Sequence, residues 1–289
     1  MNYKIVTDSS ANLTDELIIK HDIEVISLIF RVGDKEQYSF IKGKETNIKQ
    51  YYEMMRKGDT ITTAQLSMAP CRELFESILK QGEDVLYIGV SSALSGSFNV
   101  ADMVARELQE EYPQRKILSV DSLCASMGQG LLVYHAALLK NEGKSIEEVR
   151  DWLMDNRLHL CHWFTVDDLA YLKKGGRISA TTALLGSIMN IKPILHVDDE
   201  GKLVPTGKVR GRRQSLEELV NQMTLTCINP EEQMIFISHG DCIDDASYVE
   251  KLVREKMHVK DVVINYVDPV IGAHSGPGTI ALFFIGSKR

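Results

Sequence analysis

At 289 residues with a formal net charge of −7, the chain is long enough for two lobes around a cleft and too acidic to neutralise a phosphate backbone, which excludes a general nucleic-acid binder. Its 44% hydrophobic and 25% charged residues exclude a disordered or fibrous chain. The opening "MNYKIVTDSS" lacks the apolar core of a signal peptide and no stretch approaches the ~18 apolar residues of a membrane span. The five cysteines are scattered without CxxC spacing, so a cytoplasmic protein with reduced thiols and no zinc site is predicted.

In chain order, "YKIVTD" is a strand that stops at Thr7-Asp8-Ser9-Ser10, after which Thr14 caps a helix "DELIIKH". "IEVISLIFRVG" reads as one strand. "DVLYIGVSS" and "KILSVDS" are apolar strands that end in Ser or Asp before helical segments. This alternation marks a mainly parallel α/β layer, with polar residues gathered at the strand ends where such sheets bind ligands. "LLVYHAALLKNEG" reads as a buried helix closed by a glycine, and Ser145 with Glu148 forms a capping box for the next helix.

From about residue 160 strands mix with long polar turns. "DDEGK" between "ILHV" and "LVPTGKV" signals a hairpin, and Ser215 with Glu218 suits a helix cap. The expected architecture is a two-lobed α/β protein. Residues 1–160 form a mainly parallel α/β lobe, and 161–289 form a second α/β lobe with antiparallel strands.

Four polar tracts carry the candidate chemistry: "TDSS" with Asp8, "TTAQLS" with Thr63 and Ser67, "SSALSGSFNVA" with Ser91, Ser92, Ser95, Gly96 and Ser97, and "GAHSGPGT" with His274 and Ser275. The last is so rich in Gly and Pro that a tight loop with unpaired amides is predicted, not a helix. Hydroxyls and an imidazole bind a carboxylate by charge-assisted hydrogen bonds, although any one of these hydroxyls equally suits a cap or turn. Two basic segments stand against the acidic average: Lys173, Lys174 and Arg177, then Lys208, Arg210, Arg212 and Arg213. They suit a phosphate-bearing ligand, an acidic partner or plain solvated surface.

Two enzyme readings compete. Ser95, His274 and Asp8 supply the residue types of a serine hydrolase, but the GxSxG elbow is absent. A kinase with its own nucleotide site would need GxxxxGK[ST] or GxGxxG, and neither occurs.

Over nearly the full length, "TDSSANL", "TTAQLS", "SSALSGSFNVA", "VDSLCASMGQG", "YLKKGGRIS", "KVRGRRQSL" and "GAHSGPG" in this order resemble the DegV family. The resemblance implies a tunnel between two lobes that holds one long-chain fatty acid. It also implies the role of binding subunit of a bacterial fatty acid kinase. Such a subunit presents the carboxylate to a separate ATP-dependent kinase subunit and carries the acyl phosphate toward phospholipid synthesis, with transient contact at a membrane surface. By the same resemblance the carboxylate falls to Thr63, Ser95 and His274, with Ser92, Ser275 and Gly96 as secondary members. Arg177 and Arg210 fall to the phosphorylated head group or the partner. No cofactor, metal or nucleic acid is implied. The sequence departs from the family in having Ala64 and Leu66 where Ser and Pro are frequent, and Ser97 where Thr is. The apolar runs "SLIFRV", "LLGSIMNI" and "LLVYHAALL" offer surface for the tail.

Overall fold

The computed structural model describes residues 2–44, 46–179 and 190–289. Strand β1 (Tyr3–Asp8) leads to helix α1 (Asp15–Lys20), where the Thr14 hydroxyl accepts the Leu17 amide at 3.3 Å. The segment read as one strand is two. β2 (Glu24–Ile26) runs parallel to β1, whereas β3 (Ile29–Val32) leaves that sheet and pairs antiparallel with β4 (Lys35–Tyr38). No Gly or Pro marks the break. It is made by tertiary contacts: the Ser9 hydroxyl accepts the Leu28 amide at 2.9 Å and the Ser27 hydroxyl accepts the Phe40 amide at 3.0 Å.

After α2 (Ile48–Arg56), β5 (Ile61–Ala64) joins the free edge of β3 and completes a three-stranded antiparallel sheet. Helix α3 (Met68–Lys80), β6 (Asp84–Gly89), α4 (Ser97–Glu111) and β7 (Ile117–Asp121) then finish the parallel sheet, ordered β2-β1-β6-β7. All of β6 is buried, as expected for a strand covered on both faces. Helix α5 (Met127–Asn141) is buried along nearly all of its first three turns, and α6 (Ile146–Asn156) carries the predicted Ser145–Glu148 capping box.

The remaining strands build one mixed sheet, ordered β10-β9-β8-β13-β11-β12. β8 (Leu160–Thr165) is followed by α7 (Leu169–Lys174), then by the hairpin of β9 (Ile191–Val197) and β10 (Leu203–Arg210). The hairpin falls where "DDEGK" placed it: the Asp198 carboxylate accepts the amides of Glu200 at 3.0 Å and Lys202 at 2.9 Å, and Gly201 takes φ +78°. Helix α8 (Arg212–Thr226) begins earlier than predicted. Ser215 therefore lies buried inside its first turn, donating to the Arg212 carbonyl at 2.7 Å, and Gly211 occupies the cap position. β11 (Met234–His239), α9 (Ile243–Lys256) and β12 (Asp261–Tyr266) form the sheet's parallel crossover; α10 (Pro269–Ser275) and β13 (Ile280–Ile285) close the chain.

Helix α5 packs on β1 and β6 of the first sheet and on β8, β11 and β13 of the last. One hydrophobic cluster consequently runs through both, from Ile5 and Leu86 through Leu131 to Phe236 and Phe283. Among the described residues no helix is long and apolar enough to cross a membrane, and no group of three or more His, Cys, Asp or Glu is placed to hold a metal. All five cysteines are unbridged, and burial pushes each thiol up, to about 11 for Cys124 and Cys227 and about 12 for Cys71, Cys161 and Cys242.

Candidate functional site

A cavity of about 520 Å³ lies between the small antiparallel sheet, the loop after β6, the start of α5 and the inner face of the mixed sheet. Its volume suits a small-molecule ligand. Leu28, Val90, Phe164, Val267, Val270 and Phe283 contribute to a mostly apolar wall. "SLIFRV" thus supplies one lining residue, Leu28, whereas residues 131–139 are absent from the lining and pack as core. Most of "LLGSIMNI" lies outside the described residues.

Thr63 reaches the cavity from a strand, β5, and His274 from the last turn of α10. The prediction of a non-helical loop for "GAHSGPGT" is wrong in its first half. Asp268 caps the helix by accepting the Ile271 amide at 2.9 Å, Pro269 pre-sets the first turn, and Gly276 ends it at φ +82°. Nor are the amides unpaired, since Gly276 donates to the Gly272 carbonyl and Gly278 to that of Gly240, both at 2.8 Å. The glycines serve packing: a methyl at Gly272 would strike the Tyr52 hydroxyl, and one at Gly276 the Tyr171 ring. The hydroxyls of Tyr51 and Tyr52 donate to the carbonyls of Pro269 at 2.6 Å and Val267 at 2.9 Å, fixing the helix that carries His274.

The His274 Nε2 lies 2.8 Å from the Thr63 Oγ1. Its Nδ1 and the Ser275 hydroxyl are buried with no hydrogen-bond partner among the described residues. Burial, then the nearby Arg177 charge, holds the imidazole down to about 4, so the ring is neutral near pH 7 and has one N–H to give. Ser95 lines the same cavity, its Oγ 2.9 Å from the Ser97 Oγ, which in turn accepts the Leu66 amide at 3.0 Å. Ser97, one of the candidate hydroxyls, therefore ties the Thr63 segment to the Ser95 loop, a bridging role not read from the sequence. A methyl on Gly96 would meet the tip of the Gln65 side chain, which would have to swing aside. Gly175 was also missed: a methyl on it would strike the His274 Nδ1.

Arg177 lines the cavity, donating through Nε to the Leu94 carbonyl at 3.1 Å and through Nη1 to that of Gly175. Its guanidinium is lowered by burial yet stays charged. With Lys174 it supplies the formal charge of the lining, which contains no Asp or Glu among the described residues. Arg210 stands apart, exposed at the end of the edge strand β10 and absent from the lining. Ser92 is likewise absent, its amide donating to the Asp121 carboxylate at 3.2 Å, whereas Ser275 and Gly96 do line the cavity.

The hydrolase set is not assembled. Asp8 lies outside the lining, and its carboxylate accepts the amides of Ser10 at 3.0 Å and Val90 at 3.2 Å, the Tyr87 hydroxyl at 3.0 Å, the Gln129 amide group at 3.2 Å and the Ser10 hydroxyl. His274 is paired with Thr63, not with Ser95 or Asp8.

A partly open, mostly apolar cavity with hydroxyls, an imidazole and cationic groups at one pole suits an amphipathic anion. The family described as "Uncharacterised protein, DegV family" matches residues 2–287, and the chain belongs to it. A DegV domain-containing protein of Clostridium perfringens is 43% identical over 99% of this chain and 98% of its own. Among solved structures, a DegV family protein from Thermus thermophilus described by its fatty acid binding superposes with a TM-score of 0.89 at 27% identity, over 99% of this chain and 100% of that one. A DegV fatty acid binding protein of Bacillus subtilis superposes with a TM-score of 0.82 at 28% identity, again over 99% and 100%.

Proposed function

We propose that this chain binds one long-chain fatty acid in the cavity, with the carboxylate on Thr63, Ser95 and His274, and presents it to a separate ATP-dependent kinase subunit that forms the acyl phosphate. The observation that carries the reading is the lining itself: apolar walls, hydroxyls and a neutral imidazole at one pole, and charge supplied by Arg177 and Lys174 in a chain of net charge −7. The fatty acid binding described for the Thermus thermophilus and Bacillus subtilis relatives supports it. Each buried methylene contributes about 0.8 kcal/mol, so the tail supplies most of the affinity and the polar pole fixes the orientation.

The lobes of this reading are residues 1–160 and 161–289, supported by the start of the mixed sheet with β8 at Leu160. The kinase half rests on the ordered motifs of the sequence. In it Arg177 faces the head group, while the exposed Arg210 faces the partner, and loading takes place in the cytoplasm through brief contact with a membrane surface. Native mass spectrometry tests the first half: the protein as purified should exceed its delipidated mass by one fatty acid. Equal masses, together with no uptake of added octadecanoate, would overturn it. ATP-dependent acyl phosphate formation on adding the kinase subunit, and none without it, tests the second.

A further inference from the structure

One stretch of the cavity wall is polar and unrelated to the His274 pole. Ser126, just before α5, and Ser238 on β11 both line the cavity, with their hydroxyl oxygens 3.1 Å apart. The Ser126 hydroxyl is the donor in that contact, and it also lies 2.7 Å from the Asn12 Oδ1, whose Nδ2 partner donates to the Ser9 carbonyl at 3.1 Å. Ser126 has one hydrogen for these two acceptors, and the hydrogen of Ser238 is left for the cavity, so the pair offers a ligand both a donor and lone pairs.

His162 on β8 lines the same wall beside the start of α5, where a methyl on Gly128 would strike its Nε2. It is 2% exposed, and that nitrogen has no hydrogen-bond partner among the described residues. Burial holds the ring well below its ordinary value, so it is neutral. Ser126 also holds φ +54°, a conformation that favours glycine. A plain hydrocarbon chain gives none of these groups a partner.

Resting on the fatty-acid reading, we propose that Ser126, Ser238 and His162 form a second polar subsite that recognises a hydroxyl group carried along the acyl chain. The ligand hydroxyl donates its hydrogen to the serine pair, and its oxygen accepts from the imidazole N–H. A keto group, which only accepts, could also use the Ser238 hydrogen and the imidazole.

The test measures binding of octadecanoate and of its singly hydroxylated and singly oxidised (keto) forms, substituted at matching positions along the chain, to the delipidated full-length protein. At least one hydroxylated isomer should bind about tenfold more tightly than octadecanoate, the worth of one net hydrogen bond, and its keto counterpart should share part of that gain by accepting from Ser238. Ser238→Ala, and independently Ser126→Gly, which suits the positive φ, should each bring the ratio of hydroxylated to plain acid to about one. Octadecanoate bound as tightly as every hydroxylated isomer, or a ratio unchanged in both variants, would overturn the subsite and leave the fatty-acid reading standing. Failure to bind octadecanoate at all would overturn both.

Discussion

Two buried polar clusters flank the same cavity region and differ in how completely they are satisfied. Asp8, 0% exposed, accepts from five donors on β1, β6 and α5 and their adjoining turns. The His274 cluster has one internal contact, to Thr63, and leaves the His274 Nδ1 and the Ser275 hydroxyl without partners among the described residues. A saturated network holds the fold; an unsaturated one facing a cavity is built for something that arrives from outside. Residue type alone does not separate them, since both are a charged or titratable side chain beside serines and glycines.

The largest effect expected from this contrast is at Asp8. Asp8→Ala strips the acceptor from buried donors at Ser10, Tyr87, Val90 and Gln129, and urea unfolding should show a loss of about 3–5 kcal/mol. A loss below about 1 kcal/mol would erase the distinction. His274→Ala should do the reverse, with unfolding little changed and the contact to the ligand carboxylate weakened by about 1–3 kcal/mol. The tail keeps the lipid bound, but acyl phosphate formation with the kinase subunit should fall roughly a hundredfold through misplacement of the head group. Gly175→Ala makes the same point without touching the imidazole, because its φ of −73° admits alanine while the new methyl displaces Nδ1. Normal turnover in both variants would make His274 a packing residue.

A smaller effect follows from pH. Burial holds His135, His239 and His274 down to about 4, and an unfolded chain takes up those protons first, at about 6.5. The stability these rings contribute is complete above pH ~6.5 and is lost as the pH falls toward 4. Asp268, raised to about 6 by burial, acts in the opposite direction and offsets part of that loss. A bound carboxylate favours the charged form of His274, and the melting temperature of the loaded protein should therefore fall less steeply between pH 6.5 and 4 than that of the stripped protein. Identical slopes would remove His274 from the carboxylate.

The parallel layer was legible in the sequence because its strands are apolar runs ended by Ser or Asp, and the Ser145 box and the "DDEGK" hairpin are local signals that local structure obeys. The three-stranded sheet was not legible, since the break between β2 and β3 depends on the Ser9 hydroxyl, which is nineteen residues away from Leu28. The helix under His274 was hidden for a similar reason. Its glycines looked like freedom of the backbone, whereas their missing side chains make room for Tyr52 and Tyr171, which no window around residue 274 contains. The polar tracts themselves were visible, but only the packing distinguishes Ser95, in the cavity, from Ser92, tied to Asp121.

Helix α5 ties the two larger sheets into one packing unit. Because it contributes core to the first sheet on one side and to the last sheet on the other, neither can open while keeping its own interior dry. Amide hydrogens in Leu131–Val133 should then exchange with solvent only through global unfolding, at the same free energy as those of β6 and β13. The proposed division near residue 160 should then leave no trace in unfolding, and a ligand bound in the cavity should raise the protection of both sheets together.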